Sequence, residues 1–328
     1  MHHALTRRGL LSAAALTLAA AASGATAQSF PSQPIKLVVP FAPGGGNDLL
    51  ARAIGPRMAE ILGQPVVVEN RPGAGGNLGT DQVAKAAPDG HTVLIASNQI
   101  TINPALGVKT PFQVERDFAP IGQIASVPIV LVAGRGQPFT TLPEFIAHAR
   151  SQPGKLSYSS PGSGTPQHLA GEVFARMTNT FLVHIPYRGT GPAVADVVGE
   201  QLQVTFGTLA SVMSFLEAGK LKAIGVAGPR KSKLLPNVPA FGEARELKGY
   251  DAELWYCLLA PAKTPAPVVA KLNAALNEAL RSPKVAEQVA RQGFETAPST
   301  PEQLRTRIEA DTARWSRVVN EHKIKVEQ

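Results

Sequence analysis

The chain has 328 residues, 44% hydrophobic and 17% charged, which allows one large or two ordinary cores and excludes a disordered polypeptide. A formal net charge of +8 comes without a clustered Lys/Arg stripe, and aromatics are only 5%, so a nucleic-acid groove or a sugar-stacking platform is not expected. The single Cys257 cannot form an internal disulfide.

Arg7 and Arg8 precede an apolar, alanine-rich run over residues 9–22, and Ala25-Thr26-Ala27 supplies a small-x-small cleavage pattern. Residues 1–27 are therefore expected to be a signal peptide, with Gln28 as the first mature residue. The segment Thr6-Arg7-Arg8-Gly9-Leu10-Leu11 also resembles a twin-arginine signal, and a Sec signal fits equally. Either route leads to the periplasm. Removing Arg7 and Arg8, with no acid, lowers the formal charge from +8 to +6, a mildly basic balance suited to small anions. No cysteine sits at the cleavage site for a lipid anchor, and no later stretch is apolar for long enough to span a bilayer.

An apolar run at residues 35–39 leads into Pro43-Gly44-Gly45-Gly46, and a helix is expected over 48–62, ended by Gly63. Three glycines let backbone N–H groups approach a ligand, and the helix start behind them leaves unpaired donors and partial positive charge. This outlines an anion site, though a plain turn accounts for the same residues. Asn47 or Asp48 is the expected N-cap, and Pro56 is expected to kink the helix. A buried strand at 66–69, a second glycine loop at 73–79, a helix over 80–87 and a strand at 92–96 make a β-α-β-α-β unit of an open parallel sheet. The 44–46 loop and Ser97-Asn98 then share the ligand-binding carboxyl edge of that sheet.

Strands are expected at 118–126 and 128–133, then a helix over 142–151 and a strand at 156–159. The opening device recurs in Ser160-Pro161-Gly162-Ser163-Gly164-Thr165-Pro166, with Thr165 as N-cap and Pro166 as first helical residue. Strands at 181–185, 204–206 and 221–226, with helices at 193–199 and 211–218, complete a second α/β unit. A strand at 255–260 and helices over 267–280, 283–292 and 301–323 follow. Terminal helices without strands of their own must pack on something already built. The expected organisation is thus a discontinuous first domain, residues 28–129 with 252–328, and an inserted second domain, 130–251. The crossings fall near 127–132 and 250–256. Two glycine loops, one per half, would face each other across a cleft.

Nucleotide, hydrolase and metal chemistry fit less well. Gly73, Gly75 and Gly79 miss the dinucleotide spacing by one residue, and no P-loop Lys-Ser/Thr follows either loop. Gly162-Ser163-Gly164 is one residue too tight for a nucleophile elbow, which leaves a hydrolase using Ser163 and His168 as the alternative from another class. The histidines are scattered, so neither metal nor cofactor is expected; His168 and Glu172 read as an i,i+4 polar pair. Trp255 and Tyr256 read as lining the cleft or as packing in the hinge, packing being the preferred reading. Asp48 reads as a cap or as a contact for a ligand amino group, and Arg188 as a carboxylate partner or a surface side chain.

Taken together, the motifs resemble the Bug family of periplasmic solute receptors, the binding component of tripartite tricarboxylate transporters. The resemblance is carried by Pro40-Phe41-Ala42-Pro43-Gly44-Gly45-Gly46-Asn47-Asp48, Val68-Glu69-Asn70-Arg71-Pro72-Gly73-Ala74-Gly75-Gly76 and Ala87-Pro88-Asp89-Gly90-His91-Thr92. It continues through Gly162-Ser163-Gly164-Thr165-Pro166-Gln167-His168-Leu169, Pro186-Tyr187-Arg188-Gly189, Leu258-Leu259-Ala260-Pro261-Ala262 and Lys271-Leu272-Asn273. It implies a two-lobed, type II-like periplasmic binding protein, two open α/β domains on a two-stranded hinge, acting as a monomer without catalysis. The implied ligand is a small carboxylate or dicarboxylate. The implied site is Phe41, Ala42, Gly44, Gly45, Gly46, Asn47, Asp48, Ser97, Asn98, Gly162, Ser163, Gly164, Thr165, His168, Arg188 and Gly189. Inner-membrane transporter subunits or a sensor kinase are the implied partners. His91 stands where tyrosine is common and Cys257 where glycine is common, both expected to touch packing only. Gly207 stands where an acid is common, on a loop that could face the cleft, which argues against an amino-acid ligand.

Overall fold

The computed structural model describes residues 30–324, so the expected signal peptide lies outside the described residues. Among the described residues, eleven strands alternate with helices: β1 (Ile35–Val39), β2 (Val66–Asn70), β3 (Thr92–Ser97), β4 (Phe118–Val127), β5 (Ile129–Gly134), β6 (Ser157–Ser160), β7 (Val183–Pro186), β8 (Val204–Thr208), β9 (Leu221–Val226), β10 (Leu254–Pro261) and β11 (Glu295–Thr296). They form two sheets. The first has the order β11-β4-β10-β3-β1-β2 and the second β7-β6-β8-β5-β9. The first sheet thus takes its strands from both ends of the described chain and the second from its middle.

Neither sheet is purely parallel. β1, β2 and β3 pair in parallel, as the β-α-β pattern requires, but β10 enters antiparallel between β3 and β4. In the second sheet β5 runs antiparallel to both β8 and β9. The terminal segment also contributes a strand, since Glu295 and Thr296 pair with β4. β2 is an edge strand with Val67 half exposed, rather than the buried strand expected.

Strand alternation buries both faces of the first sheet. Leu37, Val39, Ile95 and Leu258 belong to the larger core with Leu50, Ile54 and Met58 of the Gly46–Leu62 helix and Leu272 and Leu276 of the Ala266–Arg281 helix. Val38, Leu94, Trp255, Cys257 and Leu259 point the other way, with Val83 and with Leu304 and Ile308 of the Pro301–Glu321 helix. Cys257 is accordingly buried packing, and His91 packs edge-on to Phe30. The Gly46–Leu62 helix runs through Pro56 and closes on Gly63 in the left-handed conformation. No side chain caps its start: the N-cap is Gly45, not Asn47 or Asp48. A helix over Gln99–Ala105, not anticipated from the sequence, follows β3 directly.

One residue, Pro128, separates β4 of the first sheet from β5 of the second, and the chain returns through Ala252, whose N–H donates to Ala227 O at 3.3 Å. Among the described residues no helix is long and apolar enough to cross a membrane, and no group of three or more His, Cys, Asp or Glu could hold a metal ion.

Candidate ligand-binding cleft

Three glycines in the opening loop meet three different constraints. Gly44 has φ +87°, a left-handed conformation that side chains resist. A Cβ on Gly45 would press on Thr190 Oγ1 at 3.3 Å, and one on Gly46 would collide with the Tyr256 hydroxyl. With a glycine N-cap, the first-turn amides of the Gly46–Leu62 helix have no side-chain or intrahelical acceptor, and they lie at the positive end of a 17-residue helix. Asn47 fixes this helix start to the sheet, its Nδ2 donating to Ile95 O at 2.9 Å.

Asp48 does not cap the helix, and its carboxylate is tied into the loop. Its carboxylate accepts from Gly44 N–H at 3.1 Å, Arg52 Nε at 3.0 Å and Asn70 Nδ2 at 3.1 Å. Burial pushes its pKa up, but hydrogen bonds from Arg52, Gly44 and Asn70 outweigh that and hold it below the ordinary carboxylate value. These bonds shape the loop.

The second loop is built to satisfy itself. Thr165 is the N-cap: its Oγ1 accepts from His168 N–H at 3.3 Å and donates to Gly162 O at 2.6 Å. Gly164 N–H donates to His168 Nδ1 at 3.2 Å, and Pro166 carries no N–H. The His168 ring stacks on His184, centroids 3.9 Å apart, and His184 Nε2 lies 2.6 Å from Ser160 Oγ. Burial lowers the pKa of His168 to about 4 and, with His168 adding to it, that of His184 to about 3, so both rings are neutral at pH 7. Ser163 is exposed and, among the described residues, makes no hydrogen bond to His168, whose Nε2 instead faces Glu172 Oε1 at 4.0 Å. A serine nucleophile with its base is not assembled here.

The two loops flank the same space from opposite sides, Gly45 and Gly46 from one and Pro161 from the other, and each also meets a further partner across the cleft. The 44–46 loop faces the 189–191 turn. Ala42 N–H donates to Arg188 O at 3.0 Å, and Ser211 Oγ donates to Gly44 O at 3.1 Å. Gly189 N-caps the Thr190–Val198 helix, again without a side-chain cap. The 162–164 segment faces Gly75, where a Cβ would strike Ser163 O, and Asn103, whose Oδ1 occupies the space a Cβ on Gly164 would need. Arg188 thus bridges the lobes with its carbonyl while its side chain is exposed.

Between these contacts lies about 260 Å³ of space free of protein atoms, part of it open to solvent. Phe41, Gly45, Gly46, Asn47 and Ser97 line it from the first sheet's loops, Leu254 and Tyr256 from β10, and Pro161, Gln167 and Thr190 from the other side. None of these side chains is charged. Of the sixteen residues expected from sequence, five line this space. Ala42, Gly44, Asp48, Gly162, Ser163, Gly164, Thr165, His168, Arg188 and Gly189 build the loops around it. Asn98 lies elsewhere, its Nδ2 tying the end of β3 to Glu253 O at 2.9 Å. Gly207 is in β8, where a Cβ would meet Val212 inside the lobe, so it does not face the cleft. Five lining residues were missed. For Gln167 and Thr190 a signal existed, since each follows a glycine loop at a helix start. Tyr256 lines the space, the less favoured of its two sequence readings, because its apolar neighbours point to packing.

The family model of the tripartite tricarboxylate transporter family receptor matches residues 50–324. The chain belongs to that family. A UPF0065 protein from the tcbD-tcbE intergenic region of Pseudomonas sp. (strain P51) is 39% identical over 323 residues, 98% of this chain and 96% of that one. Among solved structures, the periplasmic binding protein BugD is 32% identical with a TM-score of 0.86, covering 91% of this chain and 100% of its own. MatC from Rhodopseudomonas palustris, solved with bound malate, is 33% identical with a TM-score of 0.85, covering 88% of this chain and 100% of its own. Over such coverage the receptor has the two-sheet α/β architecture of periplasmic binding proteins.

Proposed function

We propose that this receptor captures a small carboxylate between two lobes in the periplasm and presents it, unreacted, to an inner-membrane transporter of the tripartite tricarboxylate type. We assign residues 28–129 with 252–328 to one lobe and 130–251 to the other, a division supported, among the described residues, by the membership of the two sheets. The observation that carries the reading is the uncapped start of the Gly46–Leu62 helix, opening on a space lined from both lobes. Helix-start amides supply donors and partial positive charge, and the one acid of that turn, Asp48, is engaged by Gly44, Arg52 and Asn70, which leaves the first-turn amides for one carboxylate. The cross-lobe hydrogen bonds from Ala42 and Ser211 favour the closed form, and a ligand touching both sides adds its own differential affinity. Malate in MatC, a relative of closely similar fold, supports the choice of a carboxylate.

The test is a thermal-shift screen of mono- and dicarboxylates with product analysis of every hit. A ligand at about a hundred times its Kd should stabilise the folded protein by about 2.7 kcal/mol and be recovered unchanged. Turnover of a hit would overturn the receptor reading, and no shift across the panel would overturn the carboxylate assignment.

A further inference from the structure

The site so far described rests on main-chain donors, and those hold any carboxylate alike. The lining contains two large polar side chains whose hydrogen-bonding groups the fold does not use. Tyr256 is 1% exposed, yet no hydrogen bond joins its hydroxyl to the described residues. Its ring is held edge-on to Phe294, centroids 5.9 Å apart, and its hydroxyl is pressed against Gly46 at the helix start. Gln167, 5% exposed, lines the same space from the opposite lobe, and its carboxamide makes no hydrogen bond to the described residues either.

We infer that Tyr256 and Gln167 are the side chains that read the ligand, and that they select a carboxylate without an ammonium group. The inference rests on the carboxylate reading above. Tyr256 Oη donates to the same carboxylate that the first-turn amides of the Gly46–Leu62 helix receive, and Gln167 closes on the ligand from the other lobe. Three observations converge on this. First, the third glycine of the opening loop follows from Tyr256. Gly46 is helical and not left-handed, so what a side chain there would violate is the room for the tyrosine hydroxyl. Second, a tyrosine that served only to pack would be matched by phenylalanine, whereas this hydroxyl borders the open space and has no partner among the described residues. Burial also pushes the phenol pKa far up, so the group stays a neutral donor at every physiological pH. Third, no carboxylate lines the space. The nearest acid on the loop, Asp48, is already used by Gly44, Arg52 and Asn70. A ligand ammonium would be desolvated there without a counter-charge, whereas a hydroxyl or methylene in its place carries no such penalty.

Calorimetric titration of the whole receptor with matched pairs separates the possibilities: malate against aspartate, and 2-hydroxyglutarate against glutamate, with succinate and adipate as unsubstituted probes. The wild type is expected to bind at least one amino-free acid about a hundredfold more tightly than its amino counterpart. Tyr256→Phe should lower the affinity for that acid by about ten- to a hundredfold, the range of a hydrogen bond to a charged group, with an unchanged melting temperature. Gln167→Met, of similar size, should weaken it further in combination. Equal binding of an amino acid and its amino-free partner overturns the selectivity. Unaltered affinity in both variants overturns the assignment of the two side chains while leaving the carboxylate reading intact. Binding of no acid by the wild type overturns both.

Discussion

The 44–46 and 162–164 glycine loops look alike in sequence and behave oppositely in the fold. Each follows a strand, turns through a Pro-Gly pair and opens a helix. At the first, the N-cap is Gly45 and the first-turn amides of the helix stay unpaired. At the second, Thr165 caps the helix, Pro166 removes one N–H, and His168 takes the Gly164 amide. One loop leaves its first-turn donors without a described partner, which the proposed ligand would supply. The other pairs its Gly162, Gly164, Thr165 and His168 N–H groups within itself, leaving those of Ser163 and Gln167, and packs against Gly75 and Asn103. A glycine loop before a helix is therefore not an anion site by itself; the capping residue decides it.

The comparison is broken most directly at the first loop. Gly46→Ala puts a Cβ into the Tyr256 hydroxyl, and should abolish carboxylate binding in a titration while costing about 1–3 kcal/mol of stability in chemical denaturation. Gly45→Val acts on closure instead. Its branched side chain meets Thr190 across the cleft, so binding should fall by more than tenfold with little change in melting temperature, and small-angle scattering should show a more extended particle. Retained affinity in both variants would remove the first loop from the site.

Acid tests the second loop. The His168 and His184 pKa values, lowered to about 4 and about 3 in the fold, stand near 6.5 in the unfolded chain. The unfolded state therefore binds more protons below pH 6.5. The stability held by the two neutral rings is complete above that pH and declines as pH falls towards 4, by up to about 1.4 kcal/mol per pH unit for each ring. Glu172 beside them works in the opposite sense, since burial raises its pKa. Urea denaturation at pH 7 and pH 5 should show the loss, and the His168→Gln, His184→Gln double variant should flatten it. Smaller still, Thr165→Val should cost about 1 kcal/mol, the value of a helix cap, and leave affinity nearly unchanged. Ser211→Ala removes one cross-lobe hydrogen bond, and its effect on affinity should correspond to about 0.5–1.5 kcal/mol.

Much of this was legible in the chain. The glycine loops, the Thr165 cap with Pro166, and the return of the terminal helices to the first sheet all follow from local pattern, because caps, turns and amphipathic spacing are local physics. Three things were not. β10 slots antiparallel between β3 and β4, a pairing across more than a hundred residues that no local period encodes. Arg188 shows a guanidinium to the reader of a sequence, but the fold uses its carbonyl. Tyr256 sits in the apolar run Leu254–Pro261, where only the neighbouring Gly46 reveals which atom faces the space.

Glycine-selective 15N labelling, with the amide spectrum followed during titration by an amino-free dicarboxylate that binds, tests the central claim most directly. The Gly45 and Gly46 amide protons should move downfield as they begin to donate to the carboxylate, while Gly164, already bonded to His168, moves little. A large shift at Gly164 with Gly45 and Gly46 unmoved would contradict it.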